Sequence, residues 1–282
     1  MLQTEQLEKM AVQVRRDVIR MINAAKSGHT GGSLGCADLM TVLYFNVLEH
    51  DPSRFSIDGK NQDVFFLSNG HIAPVWYSVL ARTGYFPTAE LGSLRQLGSR
   101  LQGHPSISHH LPGIRMASGS LGQGMSNAIG VALAKKMDGD RHLVYTLHGD
   151  GELEEGQIWE AAMFAGAKKV DNLISIVDHN GLQIDGSTQE VMDLGDLRAK
   201  FEAFGWLVLE MNGNNVADVE SCLGEAKSRC GKGKPVMIVM RTEMGHGVDF
   251  MRNLAKWHGT APTDEQSEAA LKQLPPTEYG DY

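Results

Sequence analysis

The hydrophobic positions of this chain follow two patterns, a helical spacing and short continuous apolar runs. Leu7, Met10, Val14 and Val18 recur every three or four residues, which predicts an amphipathic helix that ends near Ala25. Comparable stretches predict helices at 37–48, 73–82, 125–136, 155–167, 216–230 and 263–274, buried strands at 64–67, 143–147, 173–177 and 236–240, and a helix end with a strand within 201–210. Because strands and helices alternate, we expect an α/β fold with a doubly wound parallel sheet and helices on both faces.

The predicted strands 143–147 and 173–177 both stop abruptly in polar turns. The first is followed by HGDG and the second by DHNG, with the helix 155–167 between them. This order makes a βαβ unit with parallel strands, and a right-handed crossover brings both strand ends to one edge of the sheet. We therefore expect Asp150 and Asn180 to be close neighbours.

These two turns carry the chemistry of a metal-bridged diphosphate site. The Asp150 carboxylate and the Asn180 amide oxygen suit a hard cation such as Mg²⁺, and the Leu182 carbonyl supplies a third oxygen. Gly149 and Gly151 allow the backbone to approach a phosphate closely, and the start of the following helix offers unpaired N–H groups. Either turn alone is more often a simple connection, but their pairing across one crossover favours a site.

Four histidines lie beside glycines at the ends of predicted elements. His29 is in a glycine-rich segment, 26–35, which predicts a loop, and His71 follows the strand 64–67. His104 and His258 lie in Gly-His-Pro and Trp-His-Gly. For His29 the competing interpretation is a flexible turn, and for His71 it is a helix-capping or packing role of about equal weight.

Composition limits the class of protein. The 282 residues, 42% of them hydrophobic and 21% charged, are typical of a globular chain, and we expect residues 1–282 to form a single domain. A net charge of −8 argues against a nucleic-acid partner. The start of the chain does not resemble a signal peptide and no apolar run is long enough for a membrane span, so a cytoplasmic location without membrane contact is predicted. Three widely separated cysteines favour reduced thiols.

Taken together, these motifs resemble the N-terminal, diphosphate-binding third of the transketolase family. Gly-Asp-Gly, 26 further residues and then Asp-His-Asn match the fingerprint of thiamine diphosphate enzymes, although the family usually has Asn-Asn or Asp-Asn where this chain has His179-Asn180. The resemblance covers nearly the whole chain in seven motifs that keep the family's order: KSGHTGGSLG, LSNGH, GHP, SGSLGQG, GDGELEEGQIWEA, DHNGLQIDG and WHG. The ending GHGVDFMRNLAKWHGTAP is especially similar to members in which transketolase is split into two chains.

The resemblance implies a thiamine diphosphate-binding fold and a role for each matched residue. It assigns Mg²⁺ or Ca²⁺ to Asp150, Asn180 and the Leu182 carbonyl. It assigns contacts with the diphosphate to His71, Gly151 and His258, and contacts with the aminopyrimidine ring to the backbones of Gly119 and Leu121. The sugar channel and its proton transfers are assigned to His29, His104 and His258. Glu155 is assigned to a network across the subunit interface that also serves the cofactor site.

The resemblance also implies a partner. In this family the pyrimidine-binding domain carries the glutamate that protonates the aminopyrimidine, and nothing after Gly259 supplies it here. We therefore expect the chain alone to be inactive and to act with a second polypeptide that carries the pyrimidine-binding and C-terminal domains, as a heterotetramer of two copies of each. The implied reaction is transfer of a two-carbon ketol unit between sugars or sugar phosphates.

Other functions remain open at this point. Another thiamine diphosphate reaction, such as 1-deoxyxylulose-5-phosphate synthesis or 2-oxoacid decarboxylation, is compatible with the same cofactor motifs, although His29, His104 and His258 favour a sugar donor. A non-catalytic partner subunit that retains the cofactor site is a second alternative. A zinc protein is disfavoured because no HExxH or Cys/His ligand spacing occurs.

Overall fold

The computed structural model describes residues 1–282, and its central feature is a five-stranded parallel sheet with the spatial order first, second, third, seventh, sixth strand. The strands are β1 (Val64–Leu67), β2 (Val144–Gly149), β3 (Leu173–His179), β4 (Leu182–Gln183), β5 (Gly186–Ser187), β6 (Leu207–Asn212) and β7 (Val236–Arg241). β4 and β5 form a separate antiparallel hairpin directly after β3. All four pairings within the large sheet are parallel, as the sequence predicted.

Ten α-helices accompany the sheet. They are α1 (Thr4–Ala25), α2 (Thr30–Gly35), α3 (Ala37–Val42), α4 (Ala73–Arg82), α5 (Gly124–Met137), α6 (Gly156–Ala167), α7 (Thr188–Met192), α8 (Leu197–Ala203), α9 (Val216–Arg229) and α10 (Asp264–Gln273). A π-helical turn, Leu43–Val47, extends α3, and a 3₁₀ turn, Gly151–Glu154, precedes α6. None of the helices is both long and apolar enough to cross a membrane.

Helices cover both faces of the sheet because successive strand residues point to opposite sides. In β3, Ile174 and Ile176 belong to a core shared with α1, α3, α4 and α9. Leu173 and Val177 of the same strand belong to a second core shared with α5, α6 and α8. This arrangement confirms the predicted doubly wound fold.

The β2–α6–β3 unit places the functional turns at one edge of the sheet. Val144 pairs with Leu173 and Gly149 pairs with Asp178, so the two strands end side by side. Gly181 donates a backbone hydrogen bond to the Asp150 carboxylate over 2.6 Å, which ties the two turns together. The predicted proximity of Asp150 and Asn180 is therefore found.

The glycine-rich segment 26–35 differs from the sequence prediction, which described all of it as a loop. Its second half is the buried helix α2. A side chain at Gly31 would collide with the Met244 side chain, and one at Gly35 would lie 3.0 Å from the Glu243 carbonyl oxygen. The glycines therefore let a short helix pack directly against the segment after β7, and tertiary packing outweighs the low helix propensity of glycine.

A buried ion pair joins α1 to α4. The Asp17 carboxylate is inaccessible to solvent and accepts hydrogen bonds from the Arg82 guanidinium at 2.5 and 2.8 Å. The Ser78 hydroxyl donates a further hydrogen bond to Asp17 over 2.6 Å. These donors satisfy the hydrogen-bonding capacity of the carboxylate inside the larger core, and they fix the position of α1 relative to α4.

Candidate active site

A cavity of about 280 Å³ opens at the carboxyl edge of the sheet. Its walls come from the turns after β1, β2 and β3, the β4–β5 hairpin, the start of α2 and two loops that contribute one histidine each. The cavity brings together all but one of the predicted site residues, namely His29, His71, His104, Gly119, Leu121, Asp150, Gly151, Asn180, Leu182 and His258. Their roles remain predictions.

The predicted metal ligands form the floor of the cavity. Asp150 is 2% exposed, and its carboxylate accepts hydrogen bonds from the backbone N–H groups of Gly151 (2.8 Å) and Gly181 (2.6 Å). The Asn180 side chain donates to Asp178 (2.9 Å), while its oxygen accepts from the Leu182 N–H (3.0 Å). The Asp150 carboxylate and the Asn180 amide thus lie at adjoining strand ends, and Leu182 lines the same cavity from the start of β4.

Electrostatics at this floor suit a cation. Burial and the neighbouring Asp178 carboxylate raise the pKa of Asp150 to about 7. Asp178 is itself buried, and desolvation raises its pKa as well, against hydrogen bonds from Thr242 and Asn180. A bound divalent ion would stabilise the ionised form of both carboxylates, and an all-oxygen donor set is the kind that Mg²⁺ and Ca²⁺ prefer.

Within the Gly149–Gly151 turn, the tight position is Gly151. A Cβ at Gly151 would lie 3.1 Å from the Gln183 side-chain oxygen. The sequence predicted that the first turn of the following helix faces the diphosphate, but the 3₁₀ turn Gly151–Glu154 comes between, and α6 begins only at Gly156. The backbone of the 3₁₀ turn, rather than the helix N-terminus, therefore borders the cavity.

Four histidine rings form the upper wall of the cavity. The ring centroid of His29 lies 5.0 Å from that of His71, 6.2 Å from that of His104 and 5.6 Å from that of His258. Burial, reinforced by His258 and His104, lowers the pKa of His29 to about 4, and burial also lowers the pKa values of His71, His104 and His258. The cluster is therefore neutral at pH 7, and each ring can donate one hydrogen bond and accept another.

Several buried polar atoms of the cavity wall lack a hydrogen-bond partner within the chain. They are Nδ1 of His29, Nδ1 of His258, Oδ1 of Asn69 and Oε1 of Gln183. Since buried polar atoms in folded proteins are nearly always paired, a wall with four such atoms fits a polar ligand. The donor set, the glycine turn and these atoms together fit a diphosphate cofactor held through a divalent cation.

The cavity is also lined by residues that the sequence analysis did not single out. Glu152 is 2% exposed and lines the cavity, as do Asn69, Gln183 and Ile184. Burial opposes ionisation of Glu152, but the nearby His148 and hydrogen bonds from Ser68 and Gly122 outweigh it and hold the pKa of its carboxyl below the usual value. Ile184 on the β4–β5 hairpin is 66% exposed, so the rim of the cavity includes an apolar side chain.

Glu155 is the predicted site residue that does not line the cavity, so the structure does not support the expected contact with the cofactor. It is exposed at the N-terminal end of α6 and makes no side-chain hydrogen bond there. The 3₁₀ turn rotates Glu152 inward and leaves Glu155 on the surface. The exposed position is compatible with the interface role that the resemblance implied, which remains a prediction.

Comparison with known proteins identifies the family of this chain. Residues 7–277 match the family described as "Transketolase, thiamine diphosphate binding domain". The chain is 39% identical over 273 residues to one of the subunits of the apulose-4-phosphate transketolase of Phocaeicola vulgatus, covering 97% of this chain and 95% of that protein. It is 40% identical over 268 residues to the 6-deoxy-6-sulfo-D-fructose transketolase subunit of a Clostridium species, covering 95% and 96% of the two chains.

A solved structure shows the same fold. The transketolase from Leishmania mexicana superposes with a TM-score of 0.88 at 32% sequence identity, over 97% of this chain and 41% of that one. The chain thus spans less than half of that transketolase but nearly the full length of the two bacterial relatives. It therefore belongs to the transketolase family of transferases, carries the family's thiamine diphosphate-binding domain, and corresponds to the separate subunit of its two-chain members.

Proposed function

We propose that this chain is the cofactor-binding subunit of a two-chain transketolase that moves a two-carbon ketol unit from a ketose to an aldose. The observation that carries the proposal is the single cavity in which the Asp150–Asn180 floor faces four neutral histidines. A metal–diphosphate site and a sugar-binding wall are the two parts that ketol transfer requires of this subunit.

The floor of the cavity binds the cofactor. Asp150, Asn180 and the Leu182 carbonyl would hold Mg²⁺ or Ca²⁺, and the ion would supply positive charge that neutralises the diphosphate. Gly151, His71 and His258 contact the diphosphate directly, and the backbones of Gly119 and Leu121 face the aminopyrimidine ring. When bound, thiamine diphosphate supplies the electron sink that cleavage of a carbon–carbon bond beside a carbonyl requires.

The histidines orient the sugar and move its protons. Because His29, His104 and His258 are neutral at pH 7, each can donate an N–H to a carbonyl or hydroxyl oxygen and accept a hydroxyl proton at its other nitrogen. The ring centroids of His104 and His258 lie 6.2 and 5.6 Å from that of His29, so the three rings can contact different hydroxyl groups of one sugar.

A second chain completes the enzyme. The two bacterial relatives are named as transketolase subunits, and the chain spans 41% of the Leishmania protein. We assign the pyrimidine-binding and C-terminal domains to the partner, with a heterotetramer of two copies of each chain that acts in the cytoplasm. The relatives act, by name, on a phosphorylated and a sulfonated sugar, so the donor and acceptor assays include anionic as well as uncharged sugars.

The test is purification of the chain from its native cells, mass spectrometry of whatever remains bound, and a ketol-transfer assay. We expect a second polypeptide with the missing domains, activity of the pair in the presence of thiamine diphosphate and Mg²⁺, and no activity of either chain alone. A chain that binds thiamine diphosphate yet copurifies with no partner would instead support a non-catalytic role. Full activity of the isolated chain would contradict the division of the site between two polypeptides.

A further inference from the structure

Glu152 lies where two walls of the cavity meet. It follows the Gly149–Gly151 turn and is almost completely buried. One carboxylate oxygen accepts hydrogen bonds from the Ser68 hydroxyl and from the Gly122 backbone N–H, the latter over 2.8 Å. The other oxygen accepts from the Gly149 N–H over 3.0 Å. A single side chain thus joins three segments that are far apart in the sequence.

The contacts continue through Ser68 into the segment Ser118–Gly124. The Ser68 hydroxyl oxygen accepts a hydrogen bond from the Gly124 N–H over 2.9 Å. At Gly124 an added Cβ would collide with the Ser68 side chain, and at Gly70 it would collide with the Ser118 carbonyl. The segment Ser118–Gly124 therefore packs directly against the end of β1. Hydrogen bonds to Glu152 and Ser68 fix its backbone.

These hydrogen bonds come from backbone N–H groups of the segment Ser118–Gly124 and of the Gly149–Gly151 turn. Gly122 and Gly124 belong to the segment that carries Gly119 and Leu121, the residues assigned to the aminopyrimidine ring. Gly149 belongs to the turn that borders the diphosphate. His148, fully buried, places its Nδ1 3.5 Å from the Glu152 carboxylate and closes the remaining side of the pocket around it. An aliphatic residue at position 152 would fill the same volume but could not link the two turns.

We propose that Glu152 is a positioning residue that sets the separation between the aminopyrimidine-binding segment Ser118–Gly124 and the diphosphate-binding turn Gly149–Gly151 before thiamine diphosphate binds. The inference rests on the proposed function. Thiamine diphosphate is recognised at two ends joined by rotatable bonds, so a protein that holds both subsites at a fixed distance loses less entropy on binding.

The proposal predicts a selective loss in Glu152→Gln. An amide nitrogen in place of one oxygen points donor hydrogens at either the Gly149 N–H or the Gly122 N–H, so one of the two links is lost. In the assembled enzyme we expect the Kd for thiamine diphosphate to rise at least about 10-fold, as for loss of an outer-shell contact. The Kd for inorganic diphosphate with Mg²⁺, which touches only one of the two turns, should change by less than about 3-fold.

Isothermal titration calorimetry with thiamine diphosphate and with inorganic diphosphate measures both Kd values. Glu154→Gln is the matched control because Glu154 lies on the same 3₁₀ turn and does not line the cavity. Ser68→Ala, which leaves the carboxylate in place, should show the same selectivity with a smaller loss of about 3-fold, and it serves if Glu152→Gln does not fold. Equal losses for both ligands, or no loss for either, would overturn the inference. If the wild-type protein itself did not bind thiamine diphosphate, the proposed function would fail first.

Discussion

Asp150 supplies the one carboxylate of the predicted metal site, so its removal is the most direct test of that site. We expect Asp150→Ala to lower the affinity of the assembled enzyme for thiamine diphosphate, in the presence of Mg²⁺, by more than about 100-fold, because even outer-shell changes lower metal affinity 10–100-fold. Calorimetric titration measures the effect. Asp185→Ala, an exposed change on the adjacent hairpin, is the control. Wild-type affinity in Asp150→Ala would rule out the metal assignment.

Substitution of His104 tests whether substrate binding and cofactor binding depend on different residues. Its ring lies at the mouth of the cavity, so we expect His104→Ala to lower kcat/KM for ketol transfer by about 10- to 100-fold, the effect of losing one hydrogen bond to the substrate. The Kd for thiamine diphosphate should stay within about 2-fold of wild type. His109→Ala, which changes an exposed histidine of the same loop outside the cavity, should match wild type in both assays. A large loss of cofactor affinity in His104→Ala would remove His104 from the substrate channel.

His29 makes the stability of the fold depend on pH. Its pKa is about 4 in the folded chain, below the ordinary value of about 6.5 that it regains on unfolding. Between these values the unfolded chain binds the extra proton, so the free energy of unfolding decreases as the pH falls from about 6.5 to about 4. Urea titrations across this range should show that the free energy of unfolding varies less steeply with pH in His29→Gln. The difference in slope should correspond to up to about one bound proton. Identical slopes for the two proteins would contradict a neutral, buried His29.

The sequence predicts the positions of individual residues well where a single rule fixes them. Asp150 and Asn180 follow from the geometry of parallel strands, which places both turns at one edge. The sequence could not show which of Glu152 and Glu155 faces the cavity, because Glu152, Glu154 and Glu155 form one acidic run. Only the 3₁₀ turn decides which side chain points inward, and a turn of four residues leaves no periodic pattern in the sequence.

Among the elements, α1 and α4 depend most visibly on one polar contact. Removing the Asp17 carboxylate leaves the Arg82 guanidinium buried without its partner, and such uncompensated charges cost about 3–5 kcal/mol. We expect Asp17→Ala to lower the free energy of unfolding by that amount in urea titrations. Glu8→Ala, on the exposed face of the same helix, should change it by less than about 0.5 kcal/mol. A loss below about 1 kcal/mol in Asp17→Ala would show that the pair is not needed to hold the helices together.

Elements with a regular hydrophobic pattern were predicted closely, including the four-residue strand Val64–Leu67, whereas short elements without such a pattern were not. The predicted helix 155–167 is found at Gly156–Ala167, and the strand 173–177 extends only to His179. The helix α2 was missed because its glycines have a low intrinsic helix propensity. Contacts with Glu243 and Met244, about 200 residues away in the sequence, decide its conformation, and no local pattern contains them.

At the scale of the whole molecule, Glu155 tests the assembly with the partner chain. Its side chain is exposed and makes no hydrogen bond within the chain, so we expect Glu155→Ala to leave the free energy of unfolding within about 0.5 kcal/mol of wild type. If Glu155 belongs to a network across the interface, the Kd for the partner should rise about 10-fold or more in analytical ultracentrifugation. Glu160→Ala, an exposed acid further along α6, is the control. Unchanged association would exclude Glu155 from the interface.

The parallel sheet also bears on how such a protein can diverge. All of its strands run in one direction, so the turns that border the cavity emerge at one edge, while the two cores on its faces are built almost entirely from other residues, with Ile72 as the shared one. Mutations at that edge can therefore alter sugar preference with little penalty to folding, whereas mutations in the cores are screened by stability alone. Relatives named for apulose 4-phosphate and for a sulfonated fructose share about two fifths of this sequence. Because the residues that border the cavity and those that form the cores can change separately, relatives with one fold can evolve to act on different sugars.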